Sequence, residues 1–221
     1  FRNQKKDDIL ICNVQCLPES AICPSTLLKA GVNEPDTELC VAEEPDGTWI
    51  HFRDKAYRIP VDEIRLLGQH NYFDIGVVYG VCSILGMDDG AFTAGLKTYE
   101  PLPHRLQYLG ERDGVKYYDD SISTICDTTI QALKTLKDTD TVLIGGMDRG
   151  IDYRELIEYL SECQVRHIIL MEATGKRIYQ EIYKFYPEFK DRPRLILAEH
   201  LEDGVRRAME ITRPGHSCVL S

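Results

Sequence analysis

The sequence TVLIGGMDRG, residues 141–150, sets a short apolar run directly before a glycine-rich turn. A run of this kind, bounded by turn residues, is typical of a strand buried on both faces. It belongs to an alternating series, with strands predicted at 115–118, 141–144, 167–171, 194–198 and 217–220 and helices at 127–136, 153–163, 176–185 and 201–212. Such alternation predicts an α/β fold, in which right-handed crossovers wrap helices around a parallel sheet.

The first hundred residues follow a different pattern. Short strands are predicted at 9–14, 39–42, 49–52 and 57–59. The tetrapeptide Glu44-Pro45-Asp46-Gly47 predicts a hairpin turn, because proline presets one turn angle and glycine supplies the other. Apolar residues at helical spacing predict helices at 71–85 and 88–96, and the two prolines within 98–103 predict a hinge. We therefore expect two domains, 1–99 and 100–221.

Composition disfavours several classes of protein. The 221 residues carry a formal net charge of −10, which would repel the phosphate backbone of a nucleic acid. No apolar run approaches the ~20 residues of a membrane span. The eight cysteines contain no CxxC pair, and Cys12 and Cys16 lack a second pair to complete a zinc site. We expect reduced thiols in a cytoplasmic protein, with no membrane or nucleic-acid partner.

The ends of the chain predict that it is a fragment of a longer protein. It opens on Phe1 rather than on a methionine, without a signal-peptide pattern. It stops at Ser221, directly after the apolar stretch 218–220.

Three loops follow predicted parallel strands, at 119–124, 145–150 and 172–175. Ligands of such sheets bind beyond the carboxyl ends of the strands, so these loops are candidate binding segments. Carboxylates and hydroxyls in the first loop suit a ribose, a metal ion or an anion, although Ser123, Thr124 or Asp127 could simply cap the next helix. Glycines in the second loop permit close approach of a ligand, and Arg149 could bind a carboxylate or phosphate; a tight left-handed turn is the alternative.

Two further candidates lie outside these loops. His104 and Arg105 at the predicted hinge could reach an anionic ligand between domains, or could form an exposed basic pair. Asn71 could bind a ligand or serve as the N-cap of a helix. The remaining histidines have no partners at metal-ligand spacing and are interpreted as structural: His51, His167, His200 and His216.

Four motifs, in this order, resemble the ATP-dependent Mur ligase family of peptidoglycan synthesis. They are GQHN at 68–71, LPHR at 102–105, DDS at 119–121 with Thr124, and GGMDRG at 145–150. Members of that family have a UDP-sugar domain, a central ATPase domain and a C-terminal Rossmann-like domain for the incoming amino acid. The resemblance implies that 1–99 is a partial central ATP-binding domain without its P-loop. It implies that 100–221 is the Rossmann-like amino-acid-binding domain, truncated at its C-terminus.

The resemblance also implies ligand contacts for six residues. Asn71, Asp74, Arg105 and Asp120 would contact the nucleotide, and Thr124 and Arg149 would lie on the D-glutamate side. The motif residues without an implied role are His70, His104, Ser121, Gly145, Gly146, Asp148 and Gly150. No catalytic residue and no metal ligand is assigned within the chain. The implied cofactors are ATP and Mg²⁺, and the implied substrates are UDP-N-acetylmuramoyl-L-alanine and D-glutamate.

Three positions depart from the family pattern. Asp74 stands where asparagine is frequent, Ile122 stands where lysine is frequent, and Arg149 replaces a lysine. Ile122 removes a cation expected near the substrates, whereas Arg149 keeps its charge with a different geometry.

The implied activity is the ATP-dependent ligation of D-glutamate through an acyl phosphate, with this fragment inactive alone because it lacks a P-loop. A sister amino-acid ligase, a relative of folylpolyglutamate synthase, and a non-catalytic nucleotide-binding module are the alternatives.

Overall fold

The computed structural model describes residues 3–18, 23–186, 189 and 194–221. The chain divides into two compact units, Phe1–Glu100 and Pro101–Ser221. In the part of the chain that the structure describes, no helix is long and apolar enough to cross a bilayer.

Unit 1 contains a mixed five-stranded sheet in the order β1-β2-β3-β4-β5. Its strands are β1 (Ile9–Asn13), β2 (Thr26–Val32), β3 (Leu39–Glu44), β4 (Gly47–Phe52) and β5 (Lys55–Arg58). The pairs β1–β2 and β2–β3 are parallel, and β3–β4 and β4–β5 are antiparallel. Helices α1 (Gln69–Ile84) and α2 (Asp89–Thr98) follow the sheet, and 3₁₀ turns lie at Val14–Cys16 and Val61–Glu63.

Two glycines bring α1 close to the sheet. A Cβ atom at Gly76 would lie 2.5 Å from Cγ2 of Val41, and one at Gly80 would lie 2.7 Å from Cδ1 of Leu39. Because real Cβ atoms do not approach so closely, the helix backbone rests on β3 at a distance that any larger residue would increase.

The local signals of unit 1 are mostly confirmed. Glu44 pairs with Gly47 across the predicted hairpin turn, where Gly47 has a φ of 141°. The carboxylate of Asp88 accepts a hydrogen bond from the Ala91 amide at 2.9 Å and caps α2. The N-cap interpretation of Asn71 is wrong: α1 begins at Gln69, and its N-cap is Gly68 with a φ of 95°.

Unit 2 contains a six-stranded sheet in the order β10-β9-β8-β11-β7-β6. Its strands are β6 (Gln107–Arg112), β7 (Val115–Asp119), β8 (Thr139–Ile144), β9 (His167–Met171), β10 (Arg194–Ala198) and β11 (Ser217–Leu220). Its helices are α3 (Cys126–Thr135), α4 (Arg154–Glu162), α5 (Glu172–Phe185) and α6 (Leu201–Ile211). Five strands are parallel, and only the edge strand β6 is antiparallel to its neighbour.

The connections of unit 2 explain where a ligand would bind. The crossovers through α3, α4 and α5 all lead in one direction along the sheet, whereas α6 leads back and places β11 between β8 and β7. Since such crossovers are right-handed, α6 lies on the opposite face from the other three helices. The carboxyl ends of β8, β11 and β7 therefore surround a point where the winding reverses, which is the usual ligand site of open α/β sheets.

The parallel sheet was predicted correctly and one of its loops was not. All six residues of Thr139–Ile144 are buried, as expected for a strand covered on both faces. The predicted loop 172–175 is wrong, because α5 begins at Glu172 directly after β9. Gly175 permits this: a Cβ atom there would lie 2.7 Å from the carbonyl carbon of Leu170.

A buried ion pair lies at the amino end of β8, opposite the carboxyl ends of the strands. Oδ1 of Asp140, whose side chain is fully buried, lies 2.7 Å from Nη2 of Arg213, and Oδ2 lies 3.4 Å from Nδ1 of His167. Burial alone raises the pKa of Asp140, but the hydrogen bonds and charge of Arg213 outweigh it, so that the pKa lies below its ordinary value. A carboxylate with a lowered pKa stabilises the fold above its unfolded-state pKa and loses that contribution as pH falls.

We therefore expect Asp140→Asn to lower the free energy of unfolding by about 2 kcal/mol at pH 7. The difference from wild type should shrink as pH falls below ~4, because Asp140 takes up a proton in the unfolded chain first and in the folded chain only at lower pH. Urea denaturation followed by circular dichroism between pH 3 and 7 measures both effects. Asp113→Asn is the matched control, since Asp113 is 89% exposed beside Arg112 and should change stability by less than about 0.5 kcal/mol. A difference for Asp140→Asn that stays constant with pH would contradict the assignment.

Candidate functional site

A pocket of about 170 Å³ lies at the carboxyl ends of β8, β11 and β7. Its walls include the turn after β7, the glycine-rich loop after β8 and Ser221 at the end of β11, together with residues of α3, α4 and α5. It brings together several residues singled out from the sequence, namely Ser121, Thr124, Gly145, Gly146 and Arg149.

The glycine-rich loop requires its glycines for two different reasons. A Cβ atom at Gly145 would lie 2.3 Å from Cγ and 2.8 Å from the carbonyl oxygen of Met171, so no side chain fits between β8 and β9 there. Gly146 and Gly150 have φ values of 116° and 71°, which other residues rarely adopt. Close approach and a left-handed turn thus occur together. Thr174 closes the loop from α5 by donating its amide hydrogen to the carbonyl of Gly146 at 3.1 Å.

Asp148 braces the same loop. Its Oδ1 accepts hydrogen bonds from the Gly150 amide at 2.9 Å and from Nη1 of Arg177 at 3.0 Å. The hydrogen bond from the Gly150 amide is the main cause that lowers the pKa of Asp148, and the charge of Arg177 lowers it further. The carboxylate is therefore ionised at neutral pH. The guanidinium of Arg177 also lies 5.0 Å above the ring of Tyr153, which lines the pocket.

The carboxylate of Asp120 accepts hydrogen bonds from other residues of the same chain. Asp120 is 3% exposed, its Oδ1 accepts the amide hydrogen of Leu106 at 2.8 Å, and its Oδ2 accepts the hydroxyl hydrogen of Ser123. Its own amide donates to the carbonyl of Leu220 at 2.7 Å, which ties the turn to the end of β11. In this arrangement both carboxylate oxygens of Asp120 hold neighbouring segments.

The neighbouring carboxylate, that of Asp119, contacts the LPHR segment (102–105) through His104. Oδ2 of Asp119 lies 2.7 Å from Nδ1 of His104, and Oδ1 accepts the Ser121 amide hydrogen at 2.9 Å. Burial acts to raise the pKa of Asp119, but His104 and the Ser121 hydrogen bond lower it overall. His104 and Leu106 both have positive φ values, 63° and 46°. The two adjacent carboxylates thus hold a strained backbone, with the half-buried Arg105 at its centre.

Helix capping does not account for the hydroxyls and carboxylates of the first loop. The N-cap of α3 is Ile125, and no side chain caps that helix end. The capping alternative for Ser123, Thr124 and Asp127 is therefore wrong. Thr124 is exposed on the wall of the pocket, whereas the Ser123 hydroxyl is used by Asp120.

Asn71 and Asp74 lie in unit 1, on the wall of a pocket of about 400 Å³ between α1 and α2. The other walls are mainly apolar and include Val78 and Tyr99. The Asn71 amide nitrogen donates to the carbonyl of Leu67 at 2.6 Å, so a first-turn side chain fixes the start of α1. His70 is half-buried in the same helical turn.

The remaining histidines have partners within the fold. His51 pairs with Glu44 at 2.7 Å, and Nδ1 of His200 accepts the Asp203 amide hydrogen at 3.2 Å, which caps α6. His216 contacts Arg213 at 3.1 Å. Among the described residues no group of three or more His, Cys, Asp or Glu side chains is placed to hold a metal ion.

Among the polar residues of the pocket, sequence reasoning did not single out Thr129, Tyr153 or Ser221. Ser221 directly follows a predicted strand, so the rule that ligands bind at carboxyl ends could have found it. Thr174 was included only as part of a loop that is in fact helical. Arg177 carried no signal, because its contact with Asp148 spans 29 positions of sequence.

The chain is similar to several known ligases, although no family model matches it. UDP-N-acetylmuramoylalanine–D-glutamate ligase of Staphylococcus haemolyticus is 31% identical over an alignment of 226 positions that covers 100% of this chain and 47% of that ligase. The ligase of the same name from Pseudomonas aeruginosa strain PAO1 is 32% identical over 197 residues, 86% of this chain and 42% of that protein. The chain belongs to the Mur ligase family.

A third relative of this Mur ligase chain is named for the other enantiomer of glutamate. UDP-N-acetylmuramoyl-L-alanine–L-glutamate ligase of Xanthomonas campestris pv. campestris strain 8004 is 35% identical over 152 residues, 66% of the chain and 32% of that ligase. The chain spans less than half the length of each of these three relatives.

Solved structures confirm the predicted fold class. The MurF ligase of Thermotoga maritima in complex with ADP matches with a TM-score of 0.64 at 15% identity, over 89% of this chain and 45% of that one. Mycobacterium tuberculosis folylpolyglutamate synthase complexed with ADP matches with a TM-score of 0.64 at 16% identity, over 89% of this chain and 46% of that one. The Mur ligase chain is therefore Rossmann-like α/β in its parallel unit.

Proposed function

We propose that this chain is the later part of an ATP-dependent, carbon–nitrogen bond-forming ligase of the cytoplasm, which adds D-glutamate to UDP-N-acetylmuramoyl-L-alanine in peptidoglycan synthesis. The observation that carries the proposal is the unit 2 pocket, because Thr124, Arg149 and the glycine-rich loop all line this one cavity. The relatives named as D-glutamate ligases support the choice of substrate.

The chemistry of the pocket suits a small anionic amino acid. Arg149 offers a planar fork of donors that matches a carboxylate, and Thr124 and Ser221 add hydroxyl groups. The Ser221 hydroxyl is held 2.8 Å from that of Thr129, which orients it. At about 170 Å³ the pocket is smaller than the ~300 Å³ and more of drug-sized sites. It is therefore better suited to an amino acid than to a nucleotide sugar.

The reaction implied by the family proceeds through an acyl phosphate, which the amine of D-glutamate attacks with release of phosphate. This chain's residues would contribute by position and charge: Arg149 would hold a carboxylate of the amino acid, so that its amine faces the activated carbonyl. Positioning of two reactants converts their encounter into an intramolecular step, which is a large part of such catalysis.

The nucleotide part of the proposal rests on unit 1 and on the LPHR segment. The pocket between α1 and α2 offers apolar walls for a purine ring and the amide of Asn71 for its polar edge. We assign Asn71, Asp74, Arg105 and Asp120 to nucleotide binding, with Asp120 also bracing Leu106. Mg²⁺ is implied by the family, but the described residues provide no complete set of ligands for it.

An L-glutamate ligase is the second candidate. It is favoured by the Xanthomonas campestris relative of that name, which is 35% identical to the matched part of the chain. The two functions differ only in the hand of the amino acid, so they predict the same pocket chemistry and opposite stereochemical preference.

The test is phosphate release by the whole ligase that contains this chain. We expect release with ATP, Mg²⁺ and UDP-N-acetylmuramoyl-L-alanine to be stimulated by D-glutamate and not by L-glutamate, D-aspartate, L-alanine or L-lysine. Arg105→Ala should lose most activity. Arg166→Ala, at the amino end of β9 and away from the pocket, should not. Stimulation by L-glutamate alone would select the second candidate. Release by the isolated 221-residue chain would contradict our expectation that it is inactive alone.

A further inference from the structure

A polar cluster on α5 lies behind the pocket and is not explained by ligand binding. Its centre is Arg177, which is absent from the pocket wall and whose side chain is 32% exposed. One guanidinium makes three contacts: Nη1 with Asp148 at 3.0 Å, Nε with Glu181 at 3.0 Å, and its face with the ring of Tyr153 at 5.0 Å.

Two of these contacts reach the pocket wall. Asp148 belongs to the glycine-rich loop and also accepts the Gly150 amide hydrogen, so the turn that carries Arg149 is closed from both sides. Tyr153 is 5% exposed and forms part of the wall beside Arg149. Arg177 therefore links a rigid helix to the two pocket elements that flank Arg149.

The backbone makes the position of this loop dependent on such support. Gly146 and Gly150 both have positive φ values, and glycine gains more freedom than any other residue when a turn opens. The Thr174 amide holds the loop at Gly146, at its beginning. Asp148 and Arg177 hold the loop further along, next to Arg149.

We propose that Arg177 is a positioning residue, which fixes the glycine-rich loop and Tyr153 so that Arg149 faces the incoming amino acid. The amino-acid part of this inference rests on the proposed function. Lysine cannot replace Arg177 in this role, because one ammonium group cannot contact two carboxylates and lie flat on an aromatic ring at the same time.

The test uses Arg177→Gln, Arg177→Lys and Asp148→Asn. In the 221-residue chain, we expect hydrogen exchange of the Gly146–Gly150 amides to accelerate about tenfold or more in all three variants. In the whole ligase, the KM for the amino acid should rise about tenfold or more, while kcat and the KM for ATP change less than about threefold. The double variant Arg177→Gln/Asp148→Asn should be no worse than Arg177→Gln, because that variant has already removed the contact between Arg177 and Asp148.

Arg206→Gln is the matched control, since Arg206 is also an ion-paired helical arginine but lies on α6, where Arg207 keeps the same partner. It should leave loop exchange and the KM for the amino acid unchanged. Loop exchange like wild type in Arg177→Gln would overturn the inference, as would an equal rise in both KM values. If the ligase prefers another amino acid, the proposed substrate fails, and the KM for that amino acid replaces the one for D-glutamate. If it uses none, loop exchange alone decides.

Discussion

Arg149→Met is expected to raise the KM for the amino acid by about 100-fold or more. A charged donor that binds a carboxylate through two hydrogen bonds contributes several kcal/mol, and each 1.4 kcal/mol is a factor of ~10 in affinity. Arg149 is the pocket residue that carries a formal positive charge, since the other walls are hydroxyl, backbone or apolar groups. Steady-state phosphate release at varied amino-acid concentration measures the effect.

Two variants make this result specific. Arg149→Lys keeps the charge that the family usually places here, so we expect it to recover at least part of the affinity. Arg166→Met removes an exposed arginine at the amino end of β9, whereas the pocket lies at the carboxyl ends of the strands. It should leave the KM for the amino acid unchanged. An Arg149→Met enzyme with an unaltered KM would show that the amino acid binds elsewhere.

Asp120→Ala is expected to have the largest effect on stability within unit 2. It leaves the buried amide of Leu106 without its acceptor and frees a segment whose two positive φ values are otherwise enforced. An unsatisfied buried donor together with the loss of a charged hydrogen bond costs about 3 kcal/mol. Urea denaturation should show this loss, and hydrogen exchange at Leu106 should approach the rate of an open amide.

Three further variants separate support of the backbone from nucleotide binding. Ser123→Ala removes only the Oδ2 partner of Asp120, and it should destabilise the chain less. Asp127→Ala removes an exposed carboxylate of α3 and should be close to neutral. Asp120→Asn keeps an acceptor for Leu106, so a raised KM for ATP in this variant would support the nucleotide contact. Wild-type stability in Asp120→Ala would contradict the bracing role.

The sequence predicted the parallel sheet because burial on both faces leaves a clear pattern. Every position of β8 is buried, and its apolar run is visible without any structure. The edge strand β6 was missed, because nearly all of its residues are exposed and carry no such pattern. β2 was missed because Lys29 and Gly31 interrupt its apolar residues, and its pairing depends on parallel neighbours that local sequence does not specify.

The candidate site divides in the same way. Thr124 and Arg149 were found because they lie in loops that follow strands, and the topology brings strand ends together. Asp120 was also found, but its bonds to Leu106 and Ser123 depend on a backbone geometry that residue types do not report. Arg177 lies in the second turn of a helix, and only folding places it beside Asp148.

The junction between β9 and α5 has a consequence for how the chain tolerates changes of length. Met171 ends the strand and Glu172, with a φ of 58°, begins the helix, so no linking residue is available to absorb an insertion. One added residue would rotate α5 by about 100° and shift it by about 1.5 Å. Thr174 and Arg177 would then leave the glycine-rich loop together. Insertions and deletions among relatives should therefore fall in exposed turns such as 45–46, while the length of this junction is kept.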